Sequence, residues 1–211
     1  MQRRDFLTLT LAATGTLASG LIGVPAWAAE AYIAESEKFI RDLADTAIHT
    51  LTDKSLDKEQ RRQKFRDLFN QSFAVKGIAL YVLGRYRKRA TEAELAEYLQ
   101  LFEDVIVNTW ADRFTDYAGQ KFDVTGATST PSSSNREKTA LVSSVFNTDP
   151  NSPVDIEWRV ATNGTIYKIT DVKVSGLSLA KTQQDEFGSV IRANGDKISA
   201  LIDKLREMRN S

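Results

Sequence analysis

The chain has 211 residues, with 28 lysines and arginines balanced by 28 aspartates and glutamates, one histidine and no cysteine. This charge balance does not favour a polyanionic partner, and we expect no binding to nucleic acid. Without cysteine there is no disulfide framework, and one histidine cannot assemble the usual zinc sites, so we expect no metal and no cofactor.

The N-terminus has the layout of an export signal. The basic pair Arg3 and Arg4 precedes an uncharged, mostly apolar stretch, which is followed by the small-residue cleavage pattern Ala26-Trp27-Ala28. This layout predicts a signal peptide over residues 1–28, whose removal leaves residues 29–211 as a single domain. The arginine pair also resembles a twin-arginine export motif, with the general secretory route as the alternative.

Three helices are predicted to follow. The apolar residues on one face of the first helix are Ile33, Ile40, Ala44, Ala47 and Leu51. Their spacing of three, four and seven is typical of an amphipathic helix, which the polar segment 52–57 should end. The second helix has Phe65 and Phe69 on one face, and a short apolar helix over 73–83 should end near Gly84.

The longest predicted helix begins with a capping box, in which Thr91 and Glu94 each satisfy a free backbone donor. Gly119 is a plausible end. Spacing predicts one apolar face, made of Leu95, Leu99, Phe102, Ile106, Trp110, Phe114 and Tyr117.

After Gly119 the hydrophobic period changes to two, which predicts strands. Phe122 and Val124 alternate with polar residues, and further strands are predicted over 136–148 and 154–160. Asn163 followed by Gly164 predicts a two-residue type I′ hairpin turn into a strand over 166–174.

Two helices are predicted to finish the chain. The first should be capped by Thr182 and Asp185, with Phe187 and Ile191 on its apolar face. The second has apolar residues at Ile198, Leu201, Ile202, Leu205 and Met208. The order of elements predicts an α+β fold, with N-terminal helices, an antiparallel sheet of about four strands and C-terminal helices.

The sequence does not favour an enzyme. His49 lies off the apolar stripe of its helix, and no Gly-x-Ser-x-Gly motif accompanies any serine. Acidic pairs such as Glu92 and Glu94 occur where helix caps use carboxylates, and no glycine-rich phosphate loop is present. We therefore predict a non-catalytic protein.

A cluster of four cations follows the third helix: Arg85, Arg87, Lys88 and Arg89. One interpretation is that these side chains are solvated and interact favourably with the negative end of the helix dipole. The other is that they form a basic rim that meets a phosphate headgroup or an acidic partner.

Several motifs together resemble one known family. The segments that carry the resemblance are Phe65-x-x-Leu68-Phe69, Leu83-Gly84-Arg85-Tyr86, Phe102 with Trp110, Tyr117-x-Gly119, Val154-Asp155-Ile156-Glu157-Trp158-Arg159, Ile169-x-Asp171-Val172 and Gly176-Leu177-Ser178-Leu179. Their order and spacing over about residues 35–205 resemble the MlaC family, also called the toluene-tolerance auxiliary proteins of ABC transporters.

The resemblance implies a soluble periplasmic phospholipid carrier of a Gram-negative bacterium. Such carriers shuttle lipids between an outer-membrane lipoprotein complex and an inner-membrane ABC transporter with its membrane-anchored substrate-binding ring. It also implies a sheet and helices that enclose an apolar cavity for acyl chains. A hopanoid-like cargo and a non-catalytic cell-envelope adaptor with a filled core remain as alternatives.

The predicted wall of this cavity combines inward-facing positions with the stretches that resemble the family. Its eight residues are Val82, Leu83, Phe102, Ile106, Trp110, Ile156, Trp158 and Val160. They are predicted to lie between the long helix and the sheet. Spacing alone also permits a filled core, because a residue facing a void and one facing a neighbour have the same period.

Overall fold

The computed structural model describes residues 26–112, 119–132, 137–147 and 153–210, and it has the predicted α+β fold. Most of the predicted signal peptide, and Phe114 and Tyr117 of the predicted long helix, lie outside these ranges. The six α-helices of the described ranges are α1 (Ala26–Leu51), α2 (Lys58–Ser72), α3 (Val75–Leu83), α4 (Glu92–Ala111), α5 (Leu179–Ala193) and α6 (Ile198–Asn210). A 3₁₀ helix over Gly84–Lys88 follows α3 directly.

One antiparallel sheet contains all the described strands, in the order of the chain. They are β1 (Lys121–Thr130), β2 (Lys138–Asn147), β3 (Val154–Thr162), β4 (Tyr167–Val174) and β5 (Leu177–Ser178). The first four are the predicted strands, whereas the two-residue β5 is too short to produce a pattern. The sheet is therefore a simple meander.

Helix boundaries follow local capping chemistry. The predicted capping box is confirmed: Glu94 N–H donates to the Thr91 hydroxyl at 3.2 Å, and Thr91 N–H donates to the Glu94 carboxylate at 2.9 Å. The predicted cap of α5 is wrong, because Ser178 accepts from Lys181 N–H at 3.0 Å and α5 begins at Leu179. Thr182 lies within the first turns, where its hydroxyl donates to the Ser178 carbonyl.

The β3–β4 hairpin is confirmed, but its turn is not of type I′. Only Gly164 has a positive φ, 98°, among the connecting residues, whereas type I′ requires a positive φ at Asn163 as well. Instead the Asn163 side chain accepts from Thr165 N–H at 3.0 Å and from Ile166 N–H at 2.9 Å. This side chain closes a longer loop, so that β4 begins at Tyr167.

The helices form two groups around the sheet. Helix α1 packs across β1, β2 and β3, while α2, α3 and α5 contact β4. The long helix α4 packs mainly against α6, with further contacts to α2 and α3. None of the helices in the described ranges combines the length and hydropathy that crossing a bilayer requires.

The buried apolar residues accordingly form two clusters. The helical cluster joins α3, α4, α5 and α6 around residues such as Leu83, Tyr98 and Leu201. The sheet cluster joins α1 to the sheet around Ile40, Val142 and other buried residues. The same chain thus has two apolar centres.

Candidate functional site

One face of the sheet is apolar across four strands. Because paired residues of antiparallel strands point to the same side, the register places the following on one face: Phe122, Val124 and Ala127 of β1, Val142 and Phe146 of β2, Ile156, Trp158 and Val160 of β3, and Tyr167, Ile169 and Val172 of β4. We call this set the apolar sheet face.

The side chains at the centre of the apolar sheet face are fully buried, whereas the side chains around the centre are not. Val142, Val160 and Ile169 are fully buried. In contrast, the aromatic side chains of Phe122, Trp158 and Tyr167 are only half-buried, as are Val172 and Phe146. The apolar surface therefore extends past the area that the described helices cover completely.

Helix α1 holds this face through a few specific contacts. Ile40 is buried in the sheet cluster, and Phe39 packs on Tyr167 with ring centroids 6.1 Å apart. The Tyr32 hydroxyl donates to Ser129 Oγ at 2.6 Å, and Arg41 donates to the Val124 carbonyl at 2.8 Å. These polar contacts fix the position of α1 on the sheet, because neither can form if the helix slides along it.

Trp158 is fixed in the middle of the face. Its indole N–H donates to Ser144 Oγ at 2.9 Å, and that hydroxyl donates to the Ile156 carbonyl at 3.2 Å. The Trp158 ring meets Phe122 edge to face, with centroids 6.2 Å apart. All polar atoms of the tryptophan are thus satisfied within the sheet, and its ring is available for apolar contact.

Four of the eight residues predicted from the sequence lie in the helical cluster. Val82, Leu83 and Phe102 are fully buried there, and Ile106 packs against the cluster while half-buried. Trp110, near the end of α4, is 38% exposed. Val82, Leu83, Phe102 and Ile106 make up or border the core shared by α3, α4, α5 and α6.

The other three predicted residues lie on the apolar sheet face. Val160 is fully buried, and Ile156 and Trp158 are half-buried beside it. The eight residues therefore divide between the two clusters. The cavity wall that they were predicted to form together stays a prediction.

The predicted cavity wall omits several residues of the apolar sheet face and its cover. Tyr167 and Val172 share the face with Trp158, and the alternation along residues 166–174 would have identified them. Phe39 was also missed, because it is adjacent to Ile40 and off the stripe that was used to define the helix. No periodicity could have shown that α1 is the helix that covers the sheet.

Helix α2 connects the two clusters, with contacts to α1, β4 and α4. A line of three aromatic rings runs along it, with Phe65 and Phe69 6.0 Å apart and Phe69 and Phe73 4.8 Å apart. Beside this line Arg66 donates to Glu103 at 2.6 Å and to Asp104 at 2.9 Å on α4. These ion pairs join α2 to α4.

The predicted basic residues lie around the 3₁₀ helix that follows α3. Arg85 stacks over the Tyr86 ring at 5.0 Å and donates to the Tyr86 hydroxyl at 3.1 Å. Arg89 donates to Asp196 at 3.3 Å, and this hydrogen bond lowers the pKa of the Asp196 carboxyl. Arg87 and Lys88 are exposed.

The chemistry available in the described ranges is sparse. His49 is exposed on α1. Within the described ranges no three His, Asp or Glu side chains are grouped so that they could hold a metal ion. The site is built from apolar side chains and fixed hydrogen bonds.

This geometry defines the class of the protein. It is an α+β protein with a meander sheet, one apolar sheet face and a flanking bundle of helices. The family model described as MlaC protein matches residues 41–207. The chain belongs to the MlaC family.

Two relatives extend this assignment. The toluene tolerance protein ttg2D of Pseudomonas putida is 21% identical over 166 residues, which are 75% of this chain and 75% of that protein. A solved structure of a phospholipid-binding protein from Ralstonia solanacearum in complex with a phospholipid is 21% identical and has a TM-score of 0.66. The similarity covers 83% of this chain and 97% of that chain, and it shows a shared fold.

Proposed function

We propose that this protein is a periplasmic phospholipid carrier. It is exported with a cleaved signal peptide and shuttles lipids between an outer-membrane lipoprotein complex and an inner-membrane ABC transporter with its membrane-anchored substrate-binding ring. Membership of the MlaC family supports this proposal, and so does the name of the Ralstonia solanacearum protein, which contains a bound phospholipid. The proposal assigns no catalytic step to the chain.

The half-buried part of the apolar sheet face is the observation that carries the proposal. Phe122, Trp158 and Val172 lie beside a sealed centre but keep accessible surface. Apolar surface in contact with water costs about 25 cal/mol per Å², so a protein that leaves it uncovered loses stability unless a ligand covers it. An acyl chain lying along this face would cover it.

The physical demand on a carrier explains why such a face is needed. Each methylene transferred from water to an apolar environment contributes about 0.8 kcal/mol, so an unshielded acyl chain would be strongly disfavoured in the periplasm. Backbone hydrogen bonds of the strands are already satisfied within the sheet. The protein therefore contacts the lipid on this face only through its side chains. A lipid bound in this way is held by the apolar area that it buries and by shape complementarity, and its headgroup can remain in water.

We place the acyl chains on the apolar sheet face, at the border with the helical cluster. Ile156, Trp158 and Val160 provide the sheet side of the proposed wall. Val82, Leu83, Phe102 and Ile106, which lie in or beside the helical cluster, form the far side of the proposed site together with Trp110 of α4. The cavity predicted from the sequence is then the space that opens between the two clusters when lipid enters.

The test combines cargo identification with a pair of matched variants. The protein would be purified from a periplasmic extract and analysed by native mass spectrometry and lipid extraction. We expect a polypeptide that begins at Ala29 and carries co-purified phospholipid. A hopanoid-like cargo would correct the lipid class, and protein without lipid from a lipid-replete periplasm would overturn the proposal.

The variants test the location of the lipid. Val172 is on the apolar sheet face opposite Trp158, whereas Val145 is on the other face, and both are half-buried. We expect Val172→Trp to lower the lipid load several-fold with little loss of stability, because the added ring occupies space used by lipid. Val145→Trp adds the same volume and should leave the load unchanged. Equal loads in the two variants would contradict the placement.

A further inference from the structure

A basic cleft lies between the end of α3, the 3₁₀ helix and α5. It is open to solvent and has a volume of about 350 Å³. Its lining includes Tyr81, the cations Arg85, Arg87 and Lys88, and Gln184 of α5. Tyr81 is 50% exposed, so the cleft presents an aromatic surface next to positive charge.

The positive charge of the basic cleft is only partly neutralised. Asp196 accepts hydrogen bonds from Arg89 at 3.3 Å and from the Tyr86 hydroxyl at 3.2 Å, and its carboxylate forms an ion pair with Arg89. In the ranges that the structure describes, Arg87 and Lys88 have no carboxylate within ion-pair distance. Two full charges therefore face solvent at the mouth of a concave surface.

Capping of α3 does not require these cations. Gly84 N–H donates to the Leu80 and Tyr81 carbonyls, and the Gln184 side chain donates to the Tyr81 carbonyl at 2.5 Å. The Leu80 and Tyr81 carbonyls in the last turn of the helix thus have partners that are not these cations, and interaction with the helix dipole does not require a cluster of four.

The basic cleft is also rigid. Tyr86 is fully buried in the helical cluster and anchors the 3₁₀ helix, whose backbone accepts a hydrogen bond from Arg89 N–H at 2.9 Å. Gly84 has a φ of +58°, and a Cβ at this position would lie 3.2 Å from the Gln184 amide nitrogen. Only glycine allows this close packing without strain, and the packing fixes the two walls of the cleft. A preformed site loses less conformational entropy on binding.

We propose that the basic cleft docks an acidic segment of a protein partner, in which carboxylate side chains lie next to an apolar residue. The proposal deepens the carrier function and rests on it, because the partner would be a protein that gives lipid to the carrier or takes lipid from it. Carboxylates pair with Arg87 and Lys88, and the apolar residue packs on Tyr81. Tyrosine and arginine are the residue types most enriched at binding hot spots.

A membrane surface fits the basic cleft less well. Basic clusters that recognise anionic bilayers typically have about four to eight cations, so the three cations of one concave cleft would bind a membrane weakly. The chain as a whole has equal numbers of cations and anions and gives no further attraction. Complementary charge on a protein partner mainly raises the association rate, which suits a carrier that must dock and leave again.

The experiment uses a charge-reversal pair and a matched control in the full mature chain. The probe is a short fluorescein-labelled peptide in which aspartate and glutamate alternate with leucine, and the reference probe has asparagine and glutamine in their place. Binding is measured by fluorescence anisotropy at low and high salt. Arg87→Glu with Lys88→Glu reverses the charge of the cleft, and Lys54→Glu with Lys64→Glu reverses two exposed cations elsewhere.

We expect the unmodified protein to bind the acidic peptide and not the amide peptide. The cleft variant should lose about tenfold or more of this affinity, and added salt should weaken binding by the unmodified protein. The control variant should bind as before. Equal losses in both variants, or an equal affinity for the amide peptide, would overturn the proposal. Binding of anionic phospholipid vesicles that depends on Arg87 and Lys88, with no peptide binding, would overturn it in favour of a membrane.

The lipid load of the same variants separates this proposal from the carrier function. Both variants should retain co-purified lipid and an unchanged unfolding midpoint, because the altered side chains are exposed. If the protein carries no lipid but the peptide result holds, the carrier function fails and the docking cleft stands. If lipid is present and the peptide result fails, only the docking proposal falls.

Discussion

Trp158 illustrates, at the scale of single residues, how the structure pairs polar atoms with one another on the apolar sheet face. The indole N–H is directed along the sheet to Ser144, whose hydroxyl passes the hydrogen bond to a strand carbonyl. Alternation along β3 identified Trp158 as inward-facing, but the sequence could not indicate its hydrogen bond with Ser144. The pairing depends on the β2–β3 register, which places Val142 opposite Trp158 and Ser144 opposite Ile156.

Tyr98 has a buried hydroxyl with a structural role, from which we predict the effect of removing it. Its hydroxyl donates to the Ala79 carbonyl at 2.8 Å and so joins α4 to α3, while burial raises its pKa well above the ordinary value. We expect Tyr98→Phe to lower the free energy of unfolding by about 1–2 kcal/mol at neutral pH, because the buried hydrogen bond between α4 and α3 is lost. Urea denaturation measures this change.

The pH dependence of that difference has a defined sign. The folded state keeps the Tyr98 proton at a pH where the unfolded chain, with a tyrosine pKa of about 10, has released it. The hydroxyl therefore contributes stability below about pH 10, and this contribution decreases as the pH rises further. The stability difference between the unmodified protein and Tyr98→Phe should narrow above about pH 10. A constant difference would contradict a buried, protonated Tyr98.

At the scale of elements, the strands were easier to predict than the phase of the long helix. β-strands have an exact two-residue alternation, and one polar face leaves a clear pattern. Helix α4 packs against α2, α3 and α6, so Tyr98, Leu101 and Val105 are fully buried in addition to Phe102. The apolar face predicted from spacing is therefore rotated about the helix axis relative to the most buried face. Its members Leu95, Leu99 and Ile106 are half-buried. A helix surrounded by other helices has apolar residues on several sides, and its period does not indicate which neighbour each side meets.

The ionic contact between α2 and α4 provides a prediction for elements. Arg66 bridges Glu103 and Asp104, and without it these two carboxylates would face each other without a cation. We expect Arg66→Met to lower the free energy of unfolding by about 1 kcal/mol, a modest value because the pair is partly exposed. The destabilisation should shrink in high salt, which already weakens the ion pairs of the unmodified protein.

Lys204 provides the control for this contact. Its pair with Glu207 lies on one helix and is more exposed, at 3.3 Å. Lys204→Met should change the free energy of unfolding by less than about 0.5 kcal/mol. If the two variants are equally stable, α2 is held by its aromatic residues and not by its charges.

On the scale of the whole molecule, the division into two apolar clusters connects stability with cargo. The helical cluster includes large, fully buried side chains and needs no ligand, whereas the apolar sheet face keeps half-buried aromatic residues. The sequence predicted the fold class and the strands of this face. It could not predict the division, because which helix covers the sheet depends on contacts between residues far apart in the chain.

This division predicts that lipid stabilises the protein, and does so unevenly. A ligand present at about 100 times its Kd adds about 2.7 kcal/mol to the free energy of unfolding, which for a domain of this size raises Tm by roughly 5–10 °C. We expect delipidated protein to melt lower by about this amount and to recover when phospholipid is returned. Hydrogen exchange should show the gain in protection in α1 and in β1 to β4, which form the sheet cluster, and little change in α6. Val172→Trp should show a smaller rise in Tm and Val145→Trp the full rise. Uniform protection across both clusters, or no rise in Tm with lipid demonstrably bound, would mean that the lipid does not lie on the apolar sheet face.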